Sequence, residues 1–215
     1  MRTLVTFLAA AVLFAAAGCS SSSSKGPRTF CDTVCFRDTQ KFTGPGEFQP
    51  YISISARDCR PDKIIRGYKG LGASLTIDFP FGQVRVNKDY IRCLFSDTSS
   101  AYILFNDCLT GRGYQVKLPF NKTGTISKRA SGINSIDPKF SVAADMIAYT
   151  DRGNIYVEQA GTGKKAMMTF GKMLDIDYDA VHEFIDSVHV TSDRIWVKVK
   201  VDDKWTELEK KITLE

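Results

Sequence analysis

Short runs of alternating apolar and polar residues recur along most of the chain and predict strands. Residues 51–55 alternate in this way, and from Tyr90 onward β-branched and aromatic runs follow one another with turn residues between them. A period of two places successive side chains on opposite faces, as in a half-buried strand. Residues 177–187 depart from this period, because acidic residues lead the segment and apolar residues then recur at helical spacing. The pattern predicts an all-β chain with one short helix at 177–187.

The clearest predicted hairpin closes the chain. Its first strand, 195–201, has isoleucine and valine on one face, and tryptophan and lysine on the other. If Asp202 and Asp203 form a two-residue turn, Lys198 faces Glu207 while aliphatic residues face their partners on the opposite side. Such cross-strand pairs contribute about 0.2–1 kcal/mol each. A slip of one residue would break both patterns, so the sequence specifies the register.

A second hairpin is predicted at 146–159, with its turn at 151–154. Neither of its faces is wholly polar: Tyr149 and Tyr156 share one face with an isoleucine, while the other face carries aliphatic residues and a methionine. Strands that are apolar on both faces are typical of sheets covered by other elements on both sides. We therefore expect this hairpin to lie inside the fold.

A short internal repeat accompanies these strands. Thr-Gly-Arg at 110–112 and Thr-Gly-Lys at 162–164 lie 52 residues apart, and each follows an apolar strand pattern. A glycine suits such a turn because tight turns often need a positive φ. The period falls in the range of propeller repeats, which run to about 40–50 residues.

Residues 137–157, with Thr-Gly-Lys at 162–164, resemble one blade of the TolB-like propeller repeats. In that family a proline, an aromatic residue and a serine lead into a strand, and a turn and an Ile-Tyr-Val strand follow. The likeness extends partly to 89–120, and to 185–214 only as a hairpin, while the usual Pro-Asp-Gly turn is replaced by 142–145. The resemblance implies a propeller-like body of roughly four blade-like antiparallel sheets, without catalytic residues. A β-sandwich is the alternative fold.

The N-terminus has the character of an export signal. Arg2 precedes a 14-residue run of almost wholly apolar residues, 4–17, which small residues close. This order is typical of a secretory signal peptide, and the run is too short to span a bilayer. Ala-Ala-Gly-Cys at 16–19 resembles the bacterial lipobox, although leucine is more usual where Ala16 stands. The resemblance implies removal of the signal and lipidation of Cys19, and an ordinary cleaved signal with an incidental cysteine is the alternative.

These features predict the parts of the chain and its location in the cell. Acyl chains such as palmitate contribute about 0.8 kcal/mol per buried methylene, so several chains anchor stably where one does not. We expect the lipid to anchor the protein to the outer membrane of the cell envelope, with the folded body facing the periplasm. The expected partners are the membrane and other envelope proteins. The predicted parts are a signal peptide at 1–18, a lipid-attachment site, serine-rich tether and lead-in loop at 19–50, and a β-rich propeller-like domain at 51–215.

Charge and cysteine content limit the partners and the covalent bonds that the chain is expected to have. The net charge is +5, but basic residues are scattered beside acidic ones and form no aromatic-interleaved stripe, so nucleic acid is not expected as a partner. An exported chain favours disulfides, and the odd number of cysteines beyond Cys19 forces at least one free thiol or an intermolecular bridge. Cys31 and Cys35 are predicted to staple the segment after the tether. The disulfide candidates are Cys31, Cys35, Cys59, Cys93 and Cys108.

An acidic segment near the C-terminal hairpin carries the candidate metal ligands. Carboxylates at 175–186 follow the spacing of a calcium loop, but Ala180 replaces the turn glycine and Asp186 replaces the bidentate glutamate. Acids at the start of the predicted helix explain the same pattern. We therefore expect a non-enzymatic binding or assembly scaffold with no metal and no cofactor. The alternative is a metal-dependent hydrolase centred on 175–189, with Asp175, Asp177, Asp179 and His182 as candidate ligands.

Overall fold

The computed structural model describes residues 30–32, 35–96, 99–169 and 184–215, and 56% of these residues lie in strands. Two short 3-10 turns, Lys69–Leu71 and Lys88–Tyr90, interrupt them. The strands are β1 (Gln40–Thr43), β2 (Pro50–Arg57), β3 (Arg60–Tyr68), β4 (Ser74–Asp78), β5 (Ile91–Ser96), β6 (Ser100–Asn106), β7 (Gly113–Pro119), β8 (Ser127–Ile133), β9 (Phe140–Val142), β10 (Met146–Asp151), β11 (Asn154–Gln159), β12 (Lys165–Met168), β13 (Ile185–Val190), β14 (Arg194–Val201) and β15 (Lys204–Lys211).

The described strands form three sheets. The first has the order β1-β2-β3-β4, the central one β12-β11-β10-β8-β7-β6-β5, and the third β15-β14-β13-β9. Pairing is antiparallel throughout except between β9 and β13. The prediction of an all-β chain with antiparallel sheets is confirmed. The sheets number three where the sequence suggested about four, and the central sheet is curled into a half-barrel.

Two separate cores join the outer sheets to the central one. Ile52 and Ile64 of the first sheet share a fully buried cluster with Ile103 of β6. Val157 of β11 lies in a second cluster with Val197 of the third sheet. Alternate residues of the central strands point away from these two cores. They form the opposite face of the central sheet, which is the concave inner face of the half-barrel.

Both predicted hairpins are present, and the terminal one has the predicted register. In the terminal hairpin Lys198 pairs with Glu207 and Val199 with Thr206, and Asp202 and Asp203 adopt φ of 48° and 61°, as a two-residue turn requires. Strands β10 and β11 pair around the turn at 151–154; β10 is buried on both faces, whereas β11 is buried on one face and half-buried at Asn154 and Tyr156 on the other. Local alternation and turn chemistry were sufficient to place these four strands.

The repeated Thr-Gly-basic segments form the same turn. In each, the glycine amide donates a hydrogen bond of 2.8 Å to the carbonyl oxygen four residues earlier, that of Asp107 for Gly111 and of Gln159 for Gly163. In each, the threonine hydroxyl donates to the side chain of that same acceptor residue, also at 2.8 Å. The glycines have φ of +75° and +69°, where a side chain would be strained. The repeat therefore marks matching connections, β6 to β7 and β11 to β12.

The predicted helix is wrong over its last residues. Strand β13 begins at Ile185, so 185–187 belong to a strand, while 177–183 lie outside the described residues. The pairing of β13 with β14 shifts register between Ile185 and Ser187, which places Ile185 and Val188 in the same core although they are three positions apart. This bulge gives a strand the apolar spacing of a helix.

Regular structure also begins before position 51, the predicted start of the β-rich domain. Strand β1 occupies Gln40–Thr43 and pairs with β2 along its whole length. Phe36 is buried in the core between the first and central sheets, with 2% of its surface exposed. The segment from Phe36 onward is therefore part of the folded body.

Candidate functional site

Four of the predicted cysteines form two disulfides that attach the N-terminal segment to the body. Cys31 is bonded to Cys108 in the β6–β7 turn, and Cys35 is bonded to Cys59 in the β2–β3 turn. Cys93 is a free thiol on β5, and its burial raises the pKa to about 12. The staple interpretation of Cys31 and Cys35 is therefore confirmed, whereas Cys19 lies outside the described residues.

The curl of the central sheet brings distant strands into contact on its inner face. The Tyr102 hydroxyl on β6 donates a short hydrogen bond to Oε1 of Glu158 on β11. In a flat sheet these strands would be four spacings apart, or about 19 Å. Lys117 Nζ on β7 also lies 3.0 Å from the same carboxylate oxygen, and Lys165 Nζ lies 3.7 Å from Oε2. One buried carboxylate therefore joins both halves of the half-barrel.

The partners of Glu158 determine its ionisation. Burial alone would raise the pKa of this carboxyl, but the hydrogen bond from Tyr102, the hydrogen bond and charge of Lys117, and the charge of Lys165 together hold the pKa below its ordinary value. The pKa of Tyr102 is raised, first by burial and then by its hydrogen bond to Glu158. At neutral pH the pair is therefore a neutral phenol donating to a carboxylate.

An aromatic layer lies beside this pair on the same inner face. The guanidinium carbon of Arg129 on β8 is 3.8 Å from the ring centre of Tyr149. Tyr149 stacks on Tyr156 of the neighbouring strand, with ring centres 5.4 Å apart and planes 9° from parallel. Arg129 is opposite Gln115, next to a register shift between β7 and β8, and the Gln115 amide donates to the carbonyl of Ala148.

We call the residues just described the basic–aromatic face. Three of them are cations, whereas the one carboxylate among them is buried and already paired. The aromatic and acidic groups lie beneath, while Lys117 and Lys165 reach solvent with 36% and 57% of their side chains exposed. The face consists of Tyr102, Lys117, Arg129, Tyr149, Tyr156, Glu158 and Lys165.

A second concavity lies where the two disulfides approach each other. It has a volume of about 280 Å³ and is lined by the Cys35–Cys59 bridge, Cys108 and charged residues of both signs, including Asp58 and Arg60. Its charged lining residues are Asp58, Arg60 and Arg85, which leave a net charge of +1, and its lining includes no aromatic ring. The basic–aromatic face is therefore the stronger candidate for a binding site.

No match was found. Neither a protein-family model, nor a curated protein, nor a solved structure is similar to this chain. The geometry of the chain itself therefore has to support any function assigned to it.

The predicted metal candidates remain untested by the structure. Asp175, Asp177, Asp179 and His182 lie outside the described residues. Among the residues that are described, no group of three or more His, Cys, Asp or Glu side chains could hold a metal ion. Within the same ranges there is no helix of the length and apolarity needed to cross a bilayer.

Sequence reasoning found part of the basic–aromatic face and missed the rest. The shared face of Tyr149 and Tyr156 follows from the alternation of the β10–β11 hairpin. The contact between Tyr102 and Glu158 joins residues 56 positions apart, and it depends on the curl of seven strands. A polar residue at Glu158 within an otherwise apolar strand pattern was the signal that could have indicated a buried partner.

Proposed function

We propose that this protein is a non-enzymatic binding or assembly protein of the bacterial envelope, with the basic–aromatic face as its binding site. The observation that carries the proposal is the concentration of Lys117, Arg129 and Lys165 on one aromatic-lined concave surface. Cation–π contacts occur about once per 70–80 residues in ordinary proteins, so a single contact does not mark a binding site. In this protein, the cation–π contacts of Lys117 with Tyr102 and of Arg129 with Tyr149 lie on one face. Here Lys117 and Lys165 extend toward solvent while Arg129 lies over a ring, which supports recognition.

Attachment by a lipid on Cys19 is part of the same proposal. The apolar run before Cys19 supports export, and the two disulfides are the kind of bond that persists in oxidising compartments. Cys31 and Cys35 follow the serine-rich segment 20–24 closely and are bonded to turns of the body, so a membrane-held segment would be joined covalently to the folded body. We place the protein at the outer membrane, facing the periplasm, with other envelope proteins as partners.

The finer architecture is also a proposal. The matching turns after β6 and β11 support two similar units, β5–β7 and β10–β12, akin to the TolB-like propeller repeats, and β8 joins them into one sheet. The packing of the first and third sheets against the central sheet is equally what a β-sandwich would use. Binding at a concave sheet face is compatible with both arrangements.

Crosslinking in intact cells tests the binding function. A photo-crosslinking amino acid at Met167, which is opposite Tyr156 and 36% exposed, samples the basic–aromatic face. The same amino acid at Lys128 samples an exposed position on the other face of β8. We expect a defined crosslinked product from position 167 and none from 128. Identical products, or none from 167, would contradict a binding role for this face.

Anchoring and metal dependence are tested separately. Cys19→Ala should leave unlipidated, poorly processed protein, and a variant that still matures and fractionates with membranes would refute the lipobox interpretation. Tightly bound metal in the purified wild-type protein would favour the hydrolase alternative. Calcium or a chelator should shift the melting temperature negligibly, because Ala180 and Asp186 depart from the calcium-loop pattern.

A further inference from the structure

We propose that Arg129 is an anion-binding residue and that the basic–aromatic face takes a ligand with a carboxylate or phosphate group joined to an apolar body. This inference rests on the proposed binding function and names the chemistry of its ligand. It depends on three observations: the way in which Arg129 is held, the charge around it, and the apolar surface next to it.

The guanidinium of Arg129 is held by its flat face. It lies over the ring of Tyr149, and Tyr149 is itself supported by stacking on Tyr156. Stacking uses the π face of the guanidinium and leaves its in-plane N–H donors available. Those donors form a rigid fork that matches the two oxygens of a carboxylate or phosphate. The ring therefore orients an anion-binding group without occupying its donors.

The charge around Arg129 is not balanced by the protein. Among the described residues, Arg129 forms no ion pair with a carboxylate. Glu158 is the carboxylate of this face, but its side chain is 6% exposed and its oxygens already face two lysines and a phenol. Asp151, at the end of β10, is exposed and is not paired with Arg129. The face therefore carries three cations against the one ionised carboxylate of Glu158, a net charge of +2. Asp151 lies near enough to interact with a charge on Tyr149.

An apolar surface adjoins the charged group. Tyr156 is opposite Met167 on β12, and Met167 is one of the few large apolar side chains of the described residues that are substantially exposed. A flexible thioether beside an aromatic ring accommodates aliphatic groups of different shapes. A ligand with its anionic group at Arg129 would place its apolar part on Tyr156 and Met167. An amphiphile or an acidic solute with a short aliphatic chain has this chemistry.

Titration of the purified, detergent-solubilised lipoprotein with three probes tests the inference. The probes are inorganic phosphate, hexanoate, and dihexanoyl phosphatidylglycerol below its micelle concentration, each compared with chloride at equal ionic strength by calorimetry. We expect hexanoate or the short-chain lipid to bind more tightly than phosphate, because each adds an apolar body. Preference for hexanoate would indicate a carboxylate solute, and preference for the lipid would indicate a headgroup.

Matched variants assign the binding to Arg129. Arg129→Gln should weaken binding of the preferred probe at least tenfold, Arg129→Lys should weaken it less, and Tyr149→Leu should also weaken it because the guanidinium loses its platform. Lys128→Gln removes one charge from the opposite face of the same strand and should change binding by less than twofold. Circular dichroism confirms folding, and the unfolding temperature identifies any variant that is merely destabilised.

Two results would overturn the inference. One is wild-type protein that binds none of the probes more tightly than chloride, and the other is an equal loss in Arg129→Gln and Lys128→Gln. If the probes fail while crosslinking from position 167 still captures a defined partner, the ligand chemistry is wrong and the binding function stands. If the probes bind through Arg129 while crosslinking finds no product in cells, the site is an anion site and the assembly role is wrong.

Discussion

Replacing Tyr102 with phenylalanine should loosen the curl of the central sheet without changing its packing. The substitution removes one hydroxyl and keeps the ring, which is 4% exposed in the inner cluster with Leu104 and Ile147. That hydroxyl donates to Glu158 across the inside of the half-barrel. The variant therefore tests the contact that joins β6 to β11.

The expected cost follows from the surroundings of the two groups. A hydrogen bond to a charged partner contributes about 1.5–3 kcal/mol. In the variant, the carboxylate of Glu158 keeps its ion pairs with Lys117 and Lys165. The lost stability should therefore be smaller than that for breaking a buried ion pair, which is about 3–5 kcal/mol. We expect Tyr102→Phe to lower the free energy of unfolding by about 1.5–3 kcal/mol.

Urea unfolding at pH 7, followed by circular dichroism, measures this cost. The matched control is Tyr156→Phe, which deletes a hydroxyl with no hydrogen bond among the described residues and should change stability by about 0.5 kcal/mol or less. The slope of the transition should be the same in both variants, since the surface exposed on unfolding is unchanged. Equal stabilities for the two variants would refute a structural role for the Tyr102–Glu158 bond.

The same variant predicts a pH dependence with a definite sign. The pKa of Glu158 is lower in the folded protein, so its stabilisation is present above the ordinary glutamate pKa of about 4.3 and is lost as pH falls through the folded value. The difference between wild type and Tyr102→Phe should therefore shrink below about pH 4. A difference that is constant from pH 7 to pH 3 would show that the hydroxyl does not act on the carboxylate.

Three other measurements probe the rest of the chain. Val199→Asp should be severely destabilising, because it places a carboxylate in a fully buried cluster. Lys200→Gln, one residue further along, should lower the free energy of unfolding by about 1 kcal/mol or less. Thermal unfolding compares the two variants, and similar losses would contradict the alternation of β14. Thiol titration of unfolded, unreduced mature protein should find one thiol, that of Cys93. In the native state this thiol should react slowly, because burial raises its pKa to about 12. Five reactive thiols in the unfolded protein would exclude both disulfides. Stability should fall as pH rises above about 10, since the pKa values of Tyr102, Tyr114 and Tyr149 are raised in the folded state, and a flat profile to pH 11 would contradict their burial.

Features set by neighbours in sequence were predictable from the amino-acid pattern. The register of Lys198 with Glu207 follows from alternation and a two-residue turn, and both are local. The helix at 177–187 failed in part because a bulge near Ser187 changes the apolar spacing, and a bulge has no separate signature in an apolar pattern. The strands that form the basic–aromatic face were individually recognisable. Their meeting depends on the curvature of seven strands, which no single segment encodes.

The Cys31–Cys108 bond also changes how the molecule would respond to mechanical load. It closes a covalent loop across a sequence separation of 77 residues, and this loop contains the whole first sheet together with β5 and β6. If the chain were pulled between a membrane-held N-terminus and a partner farther along, tension would pass through the sulfur atoms and bypass that loop. The first sheet could then be neither peeled nor unzipped by force. Extension would be confined to β7 and the strands that follow it.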